Sequence, residues 1–401
     1  MRSVEEHQRV VAGLITARPA VTAELPDAEG RVLSGDVTAT VSLPVFDNSA
    51  MDGYAVRADE VASASADHPV KLPVADDIPA GRIDVPALGP ASAHRIMTGA
   101  PLPAGATAIV PVEVTDGRTD VVSINAPSAE GKHIRRAGED VAAGTTVLRA
   151  GQVVTPAVVG LAAALGLHEL TVVPRQRVLI ISTGSELVSP GTPLRPGQIY
   201  ESNAPMLAAA IRDAGAEVVA TAVAGDDVAE FTAVLDRYAA ESDLIITSGG
   251  VSAGAYEVVK DAFGRAGDQG VEFVKVAMQP GMPQGAGRVA GTSIVTLPGN
   301  PVSSLVSFEV FIRPALRAAM GLPNAHRPRL TAELAETMTA PAGKRQFRRG
   351  VFDAAAGTVV SHGPPGSHHL GWLPSANCLL DVPTEVIEIP AGSVVQIWDL
   401  R

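Results

Sequence analysis

Five short runs carry the residue types from which anion chemistry is built. STGSE (182–186), SGGVSAG (248–254), QPGMP (279–283) and LPGNPVSS (297–304) set glycine or proline beside small polar residues. Such turns present backbone N–H groups and, where a helix follows, the positive end of its dipole, so they suit phosphate or another oxyanion. One of them alone is an ordinary strand-to-helix connection. Four in one segment describe a crevice for a phosphorylated or otherwise anionic ligand. They bring Ser182, Thr183, Gly184, Ser248, Gly249, Gly250, Ser252, Pro298, Gly299, Asn300, Pro301 and Ser303 to it. Glu186, just past a strand end and beside those donors, is a candidate magnesium ligand or general base. The fifth run, DNSAMDGYA (47–55), sets Asp47 and Asp52 among Asn, Ser, Gly and Tyr, and by itself reads as a polar turn.

These runs need a scaffold. From residue 177 apolar strands alternate with helices. RVLIIST ends at Gly184, a helix runs from Asn203 to Gly215, EVVATAVA leads into a helix over 228–242, and DLIITSGG leads into one beginning near Tyr256. EFVKVAMQPG and GTSIVTLPGNP follow, the second opening a long helix from Pro301 to near Gly321 with Asn300 as its cap. The repeated strand, glycine turn and helix predict a doubly wound parallel sheet that binds ligands beyond the carboxyl ends of its strands. Residues 37–150 instead show short apolar runs broken by Gly and Pro (TATVSLPVF, HPVKLPV, HRIMTG, TAIVPVEV, DVVSINA, TTVLRAGQVV), a β-rich pattern. After Pro323 the pattern is β again: RLTAELAETM, RQFRRGVFDA, TVVSHG, NCLLDVP and SVVQIWDL. An amphipathic helix over 4–16 has nothing β-like to pack on nearby and is expected to return to the α/β domain. The fold class is multidomain α/β plus β: a doubly wound parallel α/β domain with inserted β-rich domains and a small C-terminal β domain.

Composition narrows the function classes. With 31 Lys and Arg against 43 Asp and Glu, the net charge of −12 opposes a phosphate backbone, so no nucleic-acid partner is expected and an anionic ligand must be held by local donors. Hydrophobic residues make up 46% and aromatics only 3%, which predicts aliphatic cores. Cys378 is the only cysteine, so there is no intrachain disulfide and no zinc-type cysteine spacing. The start MRSVEEHQRVVAGLITARPA is unlike a secretory leader, and no apolar run is long enough for a bilayer. A cytoplasmic location without a membrane partner is the expectation.

DNSAMDGYAVRADE, IMTGAPLPAGATAIVPVE, RRAGEDV, STGSEL with GQIYESN, SGGVSAGAYEVVK and LPGNPVSSLVSFEVFIRPAL resemble the successive blocks of the molybdopterin molybdenumtransferases, in the family's order, and GSHHL and ANC fit its last domain. The resemblance implies an elongated homodimer with four domains per chain. These are an α/β molybdopterin-binding domain (1–16 and 170–321), a linker and dimerisation domain (17–38 and 138–169), a β-rich insert (39–137) and a C-terminal β domain (322–401). It places the active site between the α/β domain of one subunit and parts of the other. The implied reaction converts adenylylated molybdopterin and molybdate, with Mg2+, to molybdenum cofactor and AMP, with other cofactor-biosynthesis proteins as further partners.

By motif, Asp52 matches the essential aspartate, Thr98 the TGAP threonine, Asp140 the AGED aspartate and Glu186 the acid after STG. Ser248, Gly249 and Gly250 match the nucleotide and pterin-side loop, and Pro298 through Pro301 the LPGNP turn. Lys344, Arg349, Ser367 and Ser375 match oxyanion contacts. The chain departs from the pattern three times. Met282 stands where many members have a lysine, with Lys275 as a nearby substitute. Ala255-Tyr256-Glu257 replaces Asp-Tyr-Asp and leaves Glu257 as the second catalytic carboxylate, and Lys344 replaces an arginine. The implied chemistry exchanges molybdate oxo ligands for two thiolates while water cleaves a phosphoanhydride; both steps set anions beside anions and need charge stabilisation and an oriented water.

Two rival readings remain. A molybdopterin adenylyltransferase would lack DNSAMDGYA and the β insert, and a non-catalytic molybdopterin-binding scaffold would not need Asp52, Asp140 and Glu186. His368 and His369 read as a polar loop, because adjacent histidines on a strand point apart and no third ligand is evident.

Overall fold

The computed structural model describes residues 1–250, 259, 262 and 270–401. The chain divides into two compact units, one of Met1–Thr22, Gly30–Ser34 and Thr171–Arg401, the other of Ala23–Glu29 and Gly35–Leu170.

The first unit begins with α1 (Val4–Leu14). Ser3 Oγ accepts from the Glu6 N–H at 3.1 Å while the Ser3 N–H donates to Glu6 Oε2 at 2.9 Å, a reciprocal cap that fixes where the helix starts. Its buried face, Val4, His7 and Val11, enters the same core as Val178, Ile180, Leu244, Val295 and Phe311. The helix thus packs on the α/β sheet.

The second unit holds a five-stranded sheet of β1 (Gly53–Val56), β2 (Val70–Ile78), β3 (Ala93–Ile96), β4 (Ala108–Pro111) and β5 (Val121–Ile124), ordered β4-β1-β3-β2-β5. β1 is the second half of DNSAMDGYA, read from sequence as a turn. All four of its residues are buried, Tyr54 and Val56 in one apolar cluster and Ala55 in another, so neither face shows the polar alternation that marks a half-exposed strand. A Cβ on Gly53 would lie 2.0 Å from the Val110 carbonyl oxygen, so only glycine lets β1 and β4 pair here. In contrast, TATVSLPVF is mostly irregular. Val37–Thr38 pairs with Thr146–Leu148, Leu43 forms a single antiparallel bridge with Val141, and Val41, Val45 and Phe46 are exposed. A further helix, α2 (Pro156–Ala164), is capped by Thr155.

The rest of the first unit carries β6 (Arg177–Thr183), α3 (Asn203–Asp213), β7 (Glu217–Ala224), α4 (Val228–Tyr238), β8 (Leu244–Ser248), β9 (Val271–Lys275), β10 (Pro283–Val289) and β11 (Thr292–Leu297). The sheet order is β7-β6-β8-β11-β10-β9. The first four strands are parallel, as strand and helix alternation predicts, whereas β10 runs antiparallel to both neighbours. Only Ala290 and Gly291 join β10 to β11, both at positive φ, and so short a link permits a hairpin but not a parallel crossover. The helix after LPGN comes in three stretches: α5 (Pro301–Ser307), a wider π turn (Phe308–Ile312) and α6 (Arg313–Ala319). The π turn precedes Pro314, which has no N–H to give the helical ladder.

The C-terminal β region is a barrel. β12 (Arg329–Leu334), β13 (Arg345–Asp353), β14 (Thr358–Ser361), β15 (Cys378–Val382) and β16 (Val394–Asp399) run in the order β13-β14-β12-β16-β15, and β13 pairs with β15 to close the ring. Cys378 is fully buried in its core, and burial pushes the thiol up to about 12. An aromatic disulfide reagent at pH 8 is therefore expected to leave the folded chain unlabelled and to modify one thiol after denaturation; rapid native labelling would contradict the burial. Among the described residues no helix is long and apolar enough to cross a membrane.

Candidate functional site

Because β10 runs opposite to the other strands, the carboxyl ends of β6, β8, β9 and β11 share one sheet edge with the start of β10. A cavity of about 710 Å³ opens there. All four glycine and proline turns reach it: Ser182, Thr183, Gly184 and Glu186 from STGSE, Ser248, Gly249 and Gly250 after β8, Pro283 of QPGMP, and Pro298, Gly299, Asn300 and Pro301 after β11. Gly249 sits at φ +97°, and a Cβ there would lie 2.7 Å from the Thr183 carbonyl oxygen, so its backbone can approach β6 only without a side chain.

The fourth turn, QPGMP, builds a second cavity of about 380 Å³ with Ser303, Lys344, Pro365, Gly366, Ser367 and His368. The two cavities share Pro283, Pro298, Asn300 and His368. QPGMP is held from both sides. The Val276 N–H donates to the Met282 carbonyl at 2.7 Å, and Met278–Gln279 pairs in parallel with Arg345–Gln346 of the barrel.

In the other unit Asp52 Oδ1 accepts from both the N–H (2.7 Å) and the hydroxyl (2.8 Å) of Thr98. These bonds hold its carboxyl below the usual carboxylate range. Nearby in sequence, Asp47 is tied to Arg136 at 2.6 Å and to the Ala137 N–H at 2.8 Å, so it holds the RRAGED segment. Asp140 is exposed on that segment and its N–H donates to the Leu43 carbonyl at 3.1 Å.

Three family models match along the chain: the MoeA N-terminal region, domains I and II, over residues 2–166, a probable molybdopterin binding domain over 179–318, and the MoeA C-terminal region, domain IV, over 331–400. A curated relative from Mycobacterium tuberculosis, molybdopterin molybdenumtransferase 2, is 71% identical with all of both chains covered. The chain belongs to the MoeA family. Molybdopterin molybdenumtransferase 1 of the same organism is 36% identical over 99% of this chain and 98% of its own. Among solved structures, a molybdopterin biosynthesis MoeA protein from Pyrococcus horikoshii superposes with a TM-score of 0.81 at 28% identity, covering 100% of this chain and 99% of that one.

The MoeA motifs do not all converge. Ser182, Thr183, Gly184, Glu186, Ser248, Gly249, Gly250 and Pro298 through Pro301 line the larger cavity, and Ser303, Lys344 and Ser367 the smaller. Lys275 is exposed at the end of β9 and lines neither. Arg349 is buried and turned away, its guanidinium donating to the His369 carbonyl at 2.5 Å and to that of Pro364. Ser375 bonds His362 at 2.7 Å. Asn300 caps α5 with no side-chain bond; its amide donates to Ser367 Oγ at 3.0 Å, and the Ser367 carbonyl takes the Val302 N–H. Ser252 and Glu257 lie outside the described residues. His368 and His369 do not point apart, because they sit in a loop: their rings are 4.1 Å apart, and His368 lines both cavities.

Glu201 and Asn203 were not read from sequence, although both lie in GQIYESN. Glu201 is buried, and its Oε1 accepts from Ser182 Oγ and from the Ala204 N–H, both at 2.9 Å. Asn203 opens α3, and both it and Glu201 line the larger cavity. The available signal was two polar residues ahead of an apolar helix face.

Proposed function

We propose that this chain inserts molybdate into adenylylated molybdopterin with Mg2+-dependent release of AMP, acting as a cytoplasmic homodimer supplied by other cofactor-biosynthesis proteins. Family membership makes it a transferase of molybdenum cofactor biosynthesis. The observation that carries the finer reading is the pair of adjoining cavities, one large and edged by glycine and proline turns, the other small and carrying Lys344. That arrangement suits a nucleotide-activated pterin beside a small oxyanion. The four-domain division belongs to the same proposal.

Among the described residues no group of three or more His, Cys, Asp or Glu side chains is placed to hold a metal ion. Magnesium commonly uses one or two carboxylates and completes its shell with substrate phosphates and water. Glu186, at the cavity wall, would hold it, and the ion would supply charge neutralisation at the phosphoanhydride. The N–H-rich turns bind and orient the phosphates, and a carboxylate orients the attacking water.

The deciding experiment supplies adenylylated molybdopterin, molybdate and Mg2+ and measures AMP. AMP and molybdenum cofactor forming together is the expected result. Consumption of ATP with free molybdopterin and no AMP release would overturn it in favour of an adenylyltransferase.

The smaller cavity gives a second test. Lys344→Ala is expected to weaken molybdate binding about tenfold, as loss of a charged hydrogen-bond donor does. Met282→Lys should tighten it by up to about fivefold, an effect that shrinks as salt rises. Lys275→Ala, which removes a side chain that lines neither cavity, should leave it unchanged. Isothermal titration at two salt concentrations reads all three, and unchanged affinity in the first two would remove the oxyanion from this cavity.

A further inference from the structure

Two serines at the larger cavity are held in opposite hydrogen-bonding states. Ser182 is the last residue but one of β6 and Ser248 ends β8, in register on neighbouring parallel strands. The Ser182 hydroxyl hydrogen is spent on Glu201 Oε1, a carboxylate that can only accept. Ser248 is the reverse case. Asn203 Nδ2 lies 2.7 Å from the Gly299 carbonyl and 2.6 Å from Ser248 Oγ. The carbonyl cannot donate, so it fixes which end of the amide is the nitrogen. The second amide hydrogen then goes to Ser248 Oγ. Both hydrogens of Asn203 are committed, Ser248 receives rather than gives, and its own hydroxyl hydrogen has no acceptor among the described residues. Asn203 is nine-tenths buried and its Oδ1 has no partner among them either, so its side chain is fixed by the two bonds through Nδ2.

We propose that Asn203 is a positioning residue that latches the turn after β11 to the end of β8 and turns the Ser248 hydroxyl into a donor toward a phosphoryl oxygen of the bound substrate. Glu201 does the complementary work one strand away. It leaves Ser182 only lone pairs, so that side of the cavity receives N–H donors of the ligand's heterocycle and rejects the anion. The polarity of the cavity is therefore set by two residues at the start of α3, and the ligand enters with its phosphate over β8 and its ring N–H groups over β6. This inference rests on the nucleotide-activated substrate proposed above.

The test uses the full chain with AMP and adenosine as probes, which differ only in the phosphate. Asn203→Ala and Ser248→Ala are each expected to weaken AMP about tenfold, the size of one hydrogen bond to a charged group, while adenosine affinity stays as in the wild type. The double variant should bind AMP no worse than Ser248→Ala, because the amide acts through that hydroxyl. Equal loss of AMP and adenosine in Asn203→Ala, full additivity in the double variant, or unchanged AMP affinity would each overturn the proposal. Should Asn203→Ala fail to fold, Ser248→Ala decides alone: unchanged AMP affinity, or equal loss of both probes, removes the donor role. A wild-type chain that binds no AMP would remove the nucleotide reading itself and this inference with it, whereas wild-type binding with unaltered variants removes only the inference.

Discussion

Asp52→Ala is expected to lower AMP release from adenylylated molybdopterin by at least about 100-fold, the lower end of what a positioned acid or base contributes. The melting temperature should stay within about 2 °C of the wild type, since exposed substitutions usually change stability by less than about 0.5 kcal/mol. The two readouts separate because of how the side chain is held. One carboxylate oxygen takes both Thr98 donors, and the other has no partner among the described residues. Thr98 thus aims the group without burying it. The same two bonds depress its pKa, so Asp52 stays ionised throughout the neutral range and any activity change above pH 5 belongs to another group. Asp52→Asn keeps the shape and loses the charge. Turnover should fall as far as in Asp52→Ala if the charge acts on the reaction, whereas wild-type turnover in Asp52→Ala would remove the role altogether.

What the sequence made legible follows from what a local pattern can encode. Each apolar run from 177 onward ends in its own glycine or proline signal, so β6, β7, β8 and β11 and the turns after them were readable from neighbours alone. β1 was not, because a strand buried on both faces has no alternation to detect, and GYAV is too short to stand out. The direction of β10 depends on a two-residue link, a feature of loop length rather than of apolar periodicity. Site residues divide in the same way. Glycines and hydroxyls that line the larger cavity were legible because each belongs to a turn that ends its own apolar run. Arg349 was read as an oxyanion contact, but its partners in the fold, the carbonyls of Pro364 and His369, are 15 and 20 residues away, and nothing in RQFRRG says whether a guanidinium meets an anion or a carbonyl. Asn203 was missed for the same reason: its partners Ser248 and Gly299 are 45 and 96 residues distant.

His7 should make the chain lose stability in mild acid, and replacing it should remove its share of that loss, leaving those of His94 and His326, whose pKa values burial also lowers. Its ring is fully buried on the inner face of α1, edge-on to Phe311 at 4.7 Å between centroids, and neither ring nitrogen has a partner among the described residues. Burial, helped by the charge of Arg2 and opposed by Glu272, lowers its pKa from 6.5 to about 4. The folded state therefore binds the proton less readily than the unfolded chain. Above pH 6.5 both states are neutral and nothing is lost. As pH falls from 6.5 toward 4 the unfolded chain takes up a proton that the folded chain refuses, and stability drops by about 3 kcal/mol over that window before the slope levels off. His7→Leu keeps a similar volume, has no proton to gain, and removes two buried nitrogens that lack hydrogen bonds. It is expected to be more stable than the wild type at pH 7, and its advantage should widen by about 3 kcal/mol at pH 4. Carboxylates with lowered pKa values, such as Asp47 and Asp52, lose their contributions in more acidic solution and do so equally in both proteins, so the difference between the two melting curves isolates His7. Thermal unfolding of wild type and His7→Leu between pH 7 and pH 4 reads it directly; parallel curves across that range would show that the ring is reached by water or by a partner and that α1 is not packed on the sheet as described.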